Sequence, residues 1–257
     1  MKRLLGAAAS LLLLAFAAFP GVAAESDAGK VGLNGTAGVG PIFFPKYTGG
    51  KQFRALPVPI ISANYSETVY VELLRAGVYL LSSEDKKMGL GLAVEPRLGF
   101  HSSDGAKLAG MATRRHSLEG GLAFDWENDI VDLSVSYFSD LTHASGGTSL
   151  RASLYKDLVK DGDWSLGALL GLDRISAKTT NYYFGVQTSE ATADRPEYRP
   201  GDATNIVYGV DGTYKLDARH TLVFGFNTTR LNGSAAASPI VETRQAALYW
   251  MGYAWNL

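Results

Sequence analysis

The sequence predicts an all-β fold, an antiparallel transmembrane β-barrel of the bacterial outer membrane, on three observations. Segments of strict apolar/polar alternation recur almost to the C-terminus, an export leader precedes them, and aromatic residues gather near the segment ends. Asp163–Asp173 shows the alternation best. Trp164, Leu166, Ala168, Leu170 and Leu172 share one face, opposite mostly small or acidic residues. A period of two is the signature of a strand.

The leader is Met1–Ala24. Lys2 and Arg3 precede an apolar stretch from Leu4 to Phe19, and small residues precede the expected cleavage after Ala24. The apolar run is too short, and lacks the following charges, for a membrane anchor. Residues 25–257 are expected to form a single barrel domain. Loss of Lys2 and Arg3 takes the formal net charge from −1 to −3, and no basic run follows, which leaves nucleic acid no electrostatic footprint. Cysteine is absent although export leads to a disulfide-permissive compartment, so strand pairing and lipid burial must hold the chain together. Glycines recur within the alternating segments. In a small closed barrel they make room in the lumen.

Eleven strand candidates emerge in order: 31–41, 54–64, 68–80, 88–101, 115–126, 130–140, 148–155, 164–175, 204–214, 220–231 and 244–255. Most match the roughly 9–11 residues a tilted strand needs to cross a bilayer. Bacterial single-chain barrels normally have an even number of strands. The discrepancy lies in 68–83, where Val69, Val71 and Leu73 change phase near Arg75–Gly77. Two short strands there give twelve in all, the preferred reading; a bulge, with another early segment not a full strand, gives ten. The connections 127–129, 156–163 and 215–219 are short and polar, as on the periplasmic side. Those at 101–114, 141–147, 176–203 and 232–243 are longer, as outside the cell.

Facing follows from the alternation. Leu90, Leu92, Val94, Leu98 and Phe100 oppose Gly91, Ala93, Glu95, Arg97 and His101, while Leu118, Leu122, Phe124 and Trp126 oppose Glu119, Gly121, Ala123 and Asp125. A soluble sandwich would bury the apolar faces. The placement of Trp126, Tyr137, Trp164, Tyr214, Tyr249, Tyr253 and Trp255 near strand ends favours the girdles of a membrane barrel instead. The final segment, Leu248–Leu257, resembles the C-terminal strand by which such barrels are recognised for insertion, although it ends on Leu257 rather than an aromatic residue.

Three elements point to a particular family. Pro57-Val58-Pro59-Ile60 follows Gly38–Pro41 and Tyr47; Tyr182-Tyr183-Phe184-Gly185-Val186 is followed by Tyr198–Gly201; and Arg230–Val241 carries Ser238-Pro239-Ile240 before the last strand. In this order and overall length they resemble the MipA/OmpV family of outer-membrane proteins, over essentially the whole chain after the leader. The resemblance implies a barrel without enzymatic activity, in contact with outer-membrane lipid and lipopolysaccharide. It also implies a scaffold role, bringing a lytic murein transglycosylase together with a peptidoglycan synthase; adhesion and antibiotic or osmotic responses are other roles in the family.

Candidate sites follow from the inward faces. Glu72, Glu95, Arg97, Glu119, Asp125, Asp132, Arg151, Asp173 and Asp211 are expected to face the lumen. A charge ring would set ion selectivity, whereas acids paired with Arg97 and Arg151 would plug a narrow barrel, the favoured reading. Pro57 and Pro59 remove two ladder donors, which makes either a bulge that shapes the barrel or a weak lateral seam. The segment 176–203 is either a recognition loop or a cover folded over the mouth. His143 and Ser145 form the one tempting hydrolase pair, but i,i+2 spacing in a loop favours an ordinary exposed histidine. No metal spacing, phosphate loop or cofactor box is present.

Overall fold

The computed structural model describes residues 32–257; the expected leader lies outside them. Twelve antiparallel strands close into a barrel: β1 (Leu33–Pro45), β2 (Phe53–Tyr65), β3 (Val69–Glu72), β4 (Arg75–Ser82), β5 (Met88–Arg97), β6 (Ser117–Trp126), β7 (Asp132–Asp140), β8 (Thr148–Asp161), β9 (Trp164–Ile175), β10 (Ala203–Lys215), β11 (His220–Arg230) and β12 (Gln245–Asn256). Every strand pairs with its sequence neighbours, and β12 closes on β1. Two short helices, α1 (Ala177–Phe184) and α2 (Gly233–Ala236), lie in the connections.

The segment with the phase change does split. Leu73, at φ 49°, turns the chain between β3 and β4, and Arg75–Ser82 returns as a separate strand, so twelve is the count and ten is excluded. Other boundaries move as well. β5 stops at Arg97, and Phe100 swings into a loop core with Tyr47, Leu108 and Met111, so it does not share the outer face with Leu98. The expected turn at 156–163 is mostly strand. β8 runs on to Asp161 through a bulge at Leu158, leaving only Gly162 and Asp163 between β8 and β9.

The pleat sorts side chains as the alternation requires. Leu122, Tyr137, Leu154, Leu170, Leu172, Met251 and Tyr253 face outward, and Trp126, Trp164 and Trp255 lie towards the end with the short turns. In a bilayer this apolar exterior is the buried surface, because ring closure pairs the strand backbones with one another, save where the short β3–β4 hairpin leaves β2 and β5 unpaired above it. Small inward residues make room for large ones opposite. A Cβ at Gly167, for example, would collide with the hydroxyl of Tyr155.

Candidate functional site

Ladder register brings the inward charges of β5, β6, β8 and β9 to one level. Glu95 stands across from Glu119, and Arg151 across from Asp173. Two carboxylates side by side repel, and two arginines resolve the repulsion. Arg97 grips Glu119 with two hydrogen bonds, from Nε at 2.5 Å and Nη2 at 3.0 Å, and lies 3.7 Å from Asp173. Arg151 pairs with Glu95, donates to the second oxygen of Glu119 at 2.7 Å and reaches Asp173 at 3.2 Å. Ser149 Oγ also donates to Glu119, and the Arg151 guanidinium lies over the ring of Phe138. Three carboxylates thus share two guanidinium groups across the lumen. Each buried charge has a partner, the condition under which such a cluster is tolerated.

The other four acids behave differently. Asp125 accepts from the Tyr79 hydroxyl at 3.0 Å and lies 3.8 Å from Arg75, and Asp211 accepts from Tyr155 at 3.1 Å. Asp132 accepts the Asn128 N–H at 3.0 Å and belongs to the rim of a turn. Glu72 forms no ion pair within 4 Å among the described residues. Arg75, Tyr79 and Tyr155 were missed as partners. Tyr155 could have been found, since it shares the parity of Arg151 along β8; Arg75 sits at the phase change, where parity fails.

Above the charge network the long connections pack into a cap. Ser238 Oγ donates to the Phe184 carbonyl at 2.5 Å, and Val186 forms a two-way bridge with Tyr198. Ile240 is fully buried, and its carbonyl accepts from Tyr47 at 3.0 Å. Gly185 ends α1 where a Cβ would strike the Asn181 carbonyl oxygen. Tyr183 donates to Ser117 at 2.9 Å, and burial pushes its phenol up to about 12. Tyr182 supplies its carbonyl to Arg114 Nε and its hydroxyl to the Arg115 N–H. The motif 182–186 and Ser238–Ile240 are therefore pieces of one packing unit, with Pro239 between two of its buried residues.

A buried ion pair pins this cap. Arg114 donates twice to Glu190, at 2.7 and 2.9 Å, and both side chains are only 4 % exposed. The guanidinium also lies between the rings of Phe100 and Tyr182. Burial alone would raise the Glu190 carboxyl, but Arg114 and the N–H groups of Gln187 and Ala112 hold it below its usual value. Arg195 donates to the carbonyls of Lys107, Ala109 and Glu190, joining two loops. No sequence signal linked Arg114 to Glu190. In the loop at 141–147, Ser145 Oγ donates to Asp140, while His143 takes a positive φ of 55° on the exposed tip. Among the described residues no group of three His, Asp or Glu is placed to hold a metal.

A closed barrel with an apolar exterior, an ion-paired lumen and a packed loop cap defines an outer-membrane protein. The chain belongs to the family described as MltA-interacting protein MipA, whose model matches residues 37–257. It is 28 % identical over 134 residues to outer membrane protein Omp26La of Vibrio anguillarum, covering 52 % of each chain. It is 26 % identical over 146 residues to outer membrane protein OmpV of Vibrio cholerae, covering 57 % of this chain and 56 % of that one. The matches thus span about half the length of these curated relatives. Among solved structures, outer-membrane expressed OmpT of Vibrio cholerae overlaps 91 % of this chain and 99 % of its own at 11 % identity and a TM-score of 0.36. An outer membrane phospholipase of Salmonella typhi overlaps 91 % and 94 % at 10 % identity and a TM-score of 0.33.

Proposed function

We propose that this outer-membrane protein is a non-enzymatic, non-conducting scaffold that holds a lytic murein transglycosylase, and with it a peptidoglycan synthase, at the outer membrane. The observation that carries the reading is the filled interior. Five charged side chains consume one another across the lumen beneath a cap with its own buried core, so the working surface is the exterior. The family description, MltA-interacting protein, supports a murein hydrolase as the partner.

The docking face belongs to the end with the short turns, where periplasmic partners are. Beyond Tyr155, the last residue of β8 paired with β7, the stretch Lys156–Asp161 is paired on the β9 side alone. Leu158 is 59 % exposed there and Ile130, on the neighbouring turn, 74 %. An apolar pair beside the Asp157–Lys160 ion pair suits a protein surface of mixed character. In-cell crosslinking of the tagged protein, followed by mass spectrometry, tests the reading. A transglycosylase or synthase recovered above a control barrel, and lost in a Leu158→Ser, Ile130→Ser double variant that still inserts, is the expected result. Recovery of barrel-assembly factors and lipopolysaccharide alone, together with steady single-channel conductance of the refolded barrel, would replace the scaffold with a channel.

A further inference from the structure

The barrel wall is incomplete between β2 and β5. The β3–β4 hairpin that joins them is short: β3 pairs with β2 only over Ser62–Tyr65, and the uppermost pair between β4 and β5 is Ala76 with Val94. Above the Leu73–Leu74 turn no strand pairs with the inner edge of Phe53–Pro59. Six residues, Ala55–Ile60, correspond to roughly 20 Å of strand at about 3.3 Å per residue. The opening ends above at the Arg54–Asp104 bridge of 2.9 Å and the contact of Tyr47 with Phe100.

Both edges of this window have lost donors where donors would point into it. Leu73 N–H donates to the Ile61 carbonyl at 2.7 Å, so the main-chain polar groups of Ile61 face β3. Strand alternation puts those of Pro59 and Pro57 on the same side. Across the opening, Ser83 N–H donates to the Met88 carbonyl at 2.9 Å, so even-numbered residues of β5 face β4, Pro96 among them. Three prolines thus remove three of the N–H groups that would otherwise project into the gap, and on β2 only Ala55, of the same parity, keeps its donor beside them. The β1–β2 ladder runs through Pro57 and Pro59 without a register shift, which removes the bulge explanation for them.

An unpaired N–H facing hydrocarbon costs several kcal/mol, whereas one facing water costs nothing. Donor removal on both edges therefore matches a hydrocarbon-filled window. On the β2 side the lumen wall behind it is apolar: Phe44, Val58, Ile60, Leu73 and Trp250 pack together there, and the inward-facing Leu56 is 38 % exposed, while on the β5 side Glu95 and Arg97 turn inward into the ion-paired network. We propose that the window is a lateral port through which an acyl chain of an outer-membrane lipid inserts against this apolar half of the lumen.

Bromine on lipid chains quenches tryptophan only at short range, and Trp250 faces the lumen beside Ile60. A Trp126→Phe, Trp164→Phe, Trp255→Phe variant keeps Trp250 as the sole tryptophan of the four. The control carries Leu169→Trp with all four native tryptophans replaced. Leu169 faces the lumen on β9, where the wall is paired on both sides. In vesicles of dibrominated phosphatidylcholine, Trp250 emission should be lost relative to unbrominated lipid while the control emission is retained. Equal quenching, or none for Trp250, overturns the port. Each variant is first checked for the heat-dependent gel mobility of a folded barrel. A second measurement needs only small changes: Val58→Cys should react with a maleimide carried on a phospholipid acyl chain, and Ser153→Cys, inward on a fully paired wall, should not. Reaction of Val58→Cys with a water-soluble maleimide alone means the window opens to water and overturns the proposal. Neither outcome bears on partner capture at the opposite surface.

Discussion

The two halves of the barrel wall solve different problems. From β6 to β9 the strands are paired on both sides at the level of the lumen charges, β5 adds Glu95 and Arg97 through its ladder with β6, and those charges meet as ion pairs. Along β1 and β2 the lumen side is lined by Ile42, Phe44, Val58 and Ile60, three prolines interrupt donor rows in and across from it, and a short hairpin, which carries Glu72 and Arg75 lower down, leaves the wall unpaired above Leu73. Buried charge needs a rigid frame, because an ion pair is tolerated only while its partners hold position. Apolar packing has no such directional demand. The missing ladder bonds open beside the apolar face of β2, and on the opposite edge Glu95 and Arg97 keep their frame through the ladder of β5 with β6.

The comparison breaks most decisively at Glu119. Its side chain is 3 % exposed and serves both arginines, so Glu119→Ala should destabilise the refolded barrel by about 3–5 kcal/mol in urea titrations. A loss under about 1 kcal/mol would mean water already screens the network. Next in size is the cap. Arg114→Ala should cost about 3 kcal/mol locally, read as faster proteolysis within residues 177–200 while the strands stay protected. The same pair sets a pH dependence. The folded Glu190 carboxyl lies below its ordinary value near 4.5, so its stabilisation is present above that value and lost as pH falls through the lowered one. Cap proteolysis by an acid-active protease should rise as the pH falls below the ordinary value of 4.5 and through the lowered one, and Arg114→Ala should abolish that rise.

Two smaller effects sharpen the apolar side. Pro59→Ala places a new N–H in the window and should destabilise by about 1–3 kcal/mol. Stabilisation instead would show that β2 finds a pairing partner there. Ile60→Val removes one methylene from the apolar wall and should cost only about 0.5–1.5 kcal/mol, with the charge network unaffected.

Much of the fold was legible in the chain. The alternation at Leu90–Val94, Leu118–Trp126 and Trp164–Leu172 assigned inner and outer faces correctly because the pleat forces a period of two whatever lies beside the strand. The break of phase near Arg75 located the uncertain hairpin. The site was legible only in outline. Glu95, Arg97, Glu119, Arg151 and Asp173 were placed on the inner face, but nothing local says that Glu119 binds both arginines, since that follows from the register of four strands. Phe100 reads as a strand residue and becomes loop core because Tyr47, Leu108 and Met111, remote in sequence, surround it.

By itself, then, the sequence determined the class of protein, the faces of its strands and the compartment, because each rests on periodicity and composition that act locally. Tertiary structure alone decided which charges pair, that the family-like motifs at 182–186 and 238–240 lock one cap, and that Pro57, Pro59 and Pro96 face a common opening. These depend on strand register and barrel closure, which bring residues from separate strands and loops to the same height and cannot be computed from any one segment.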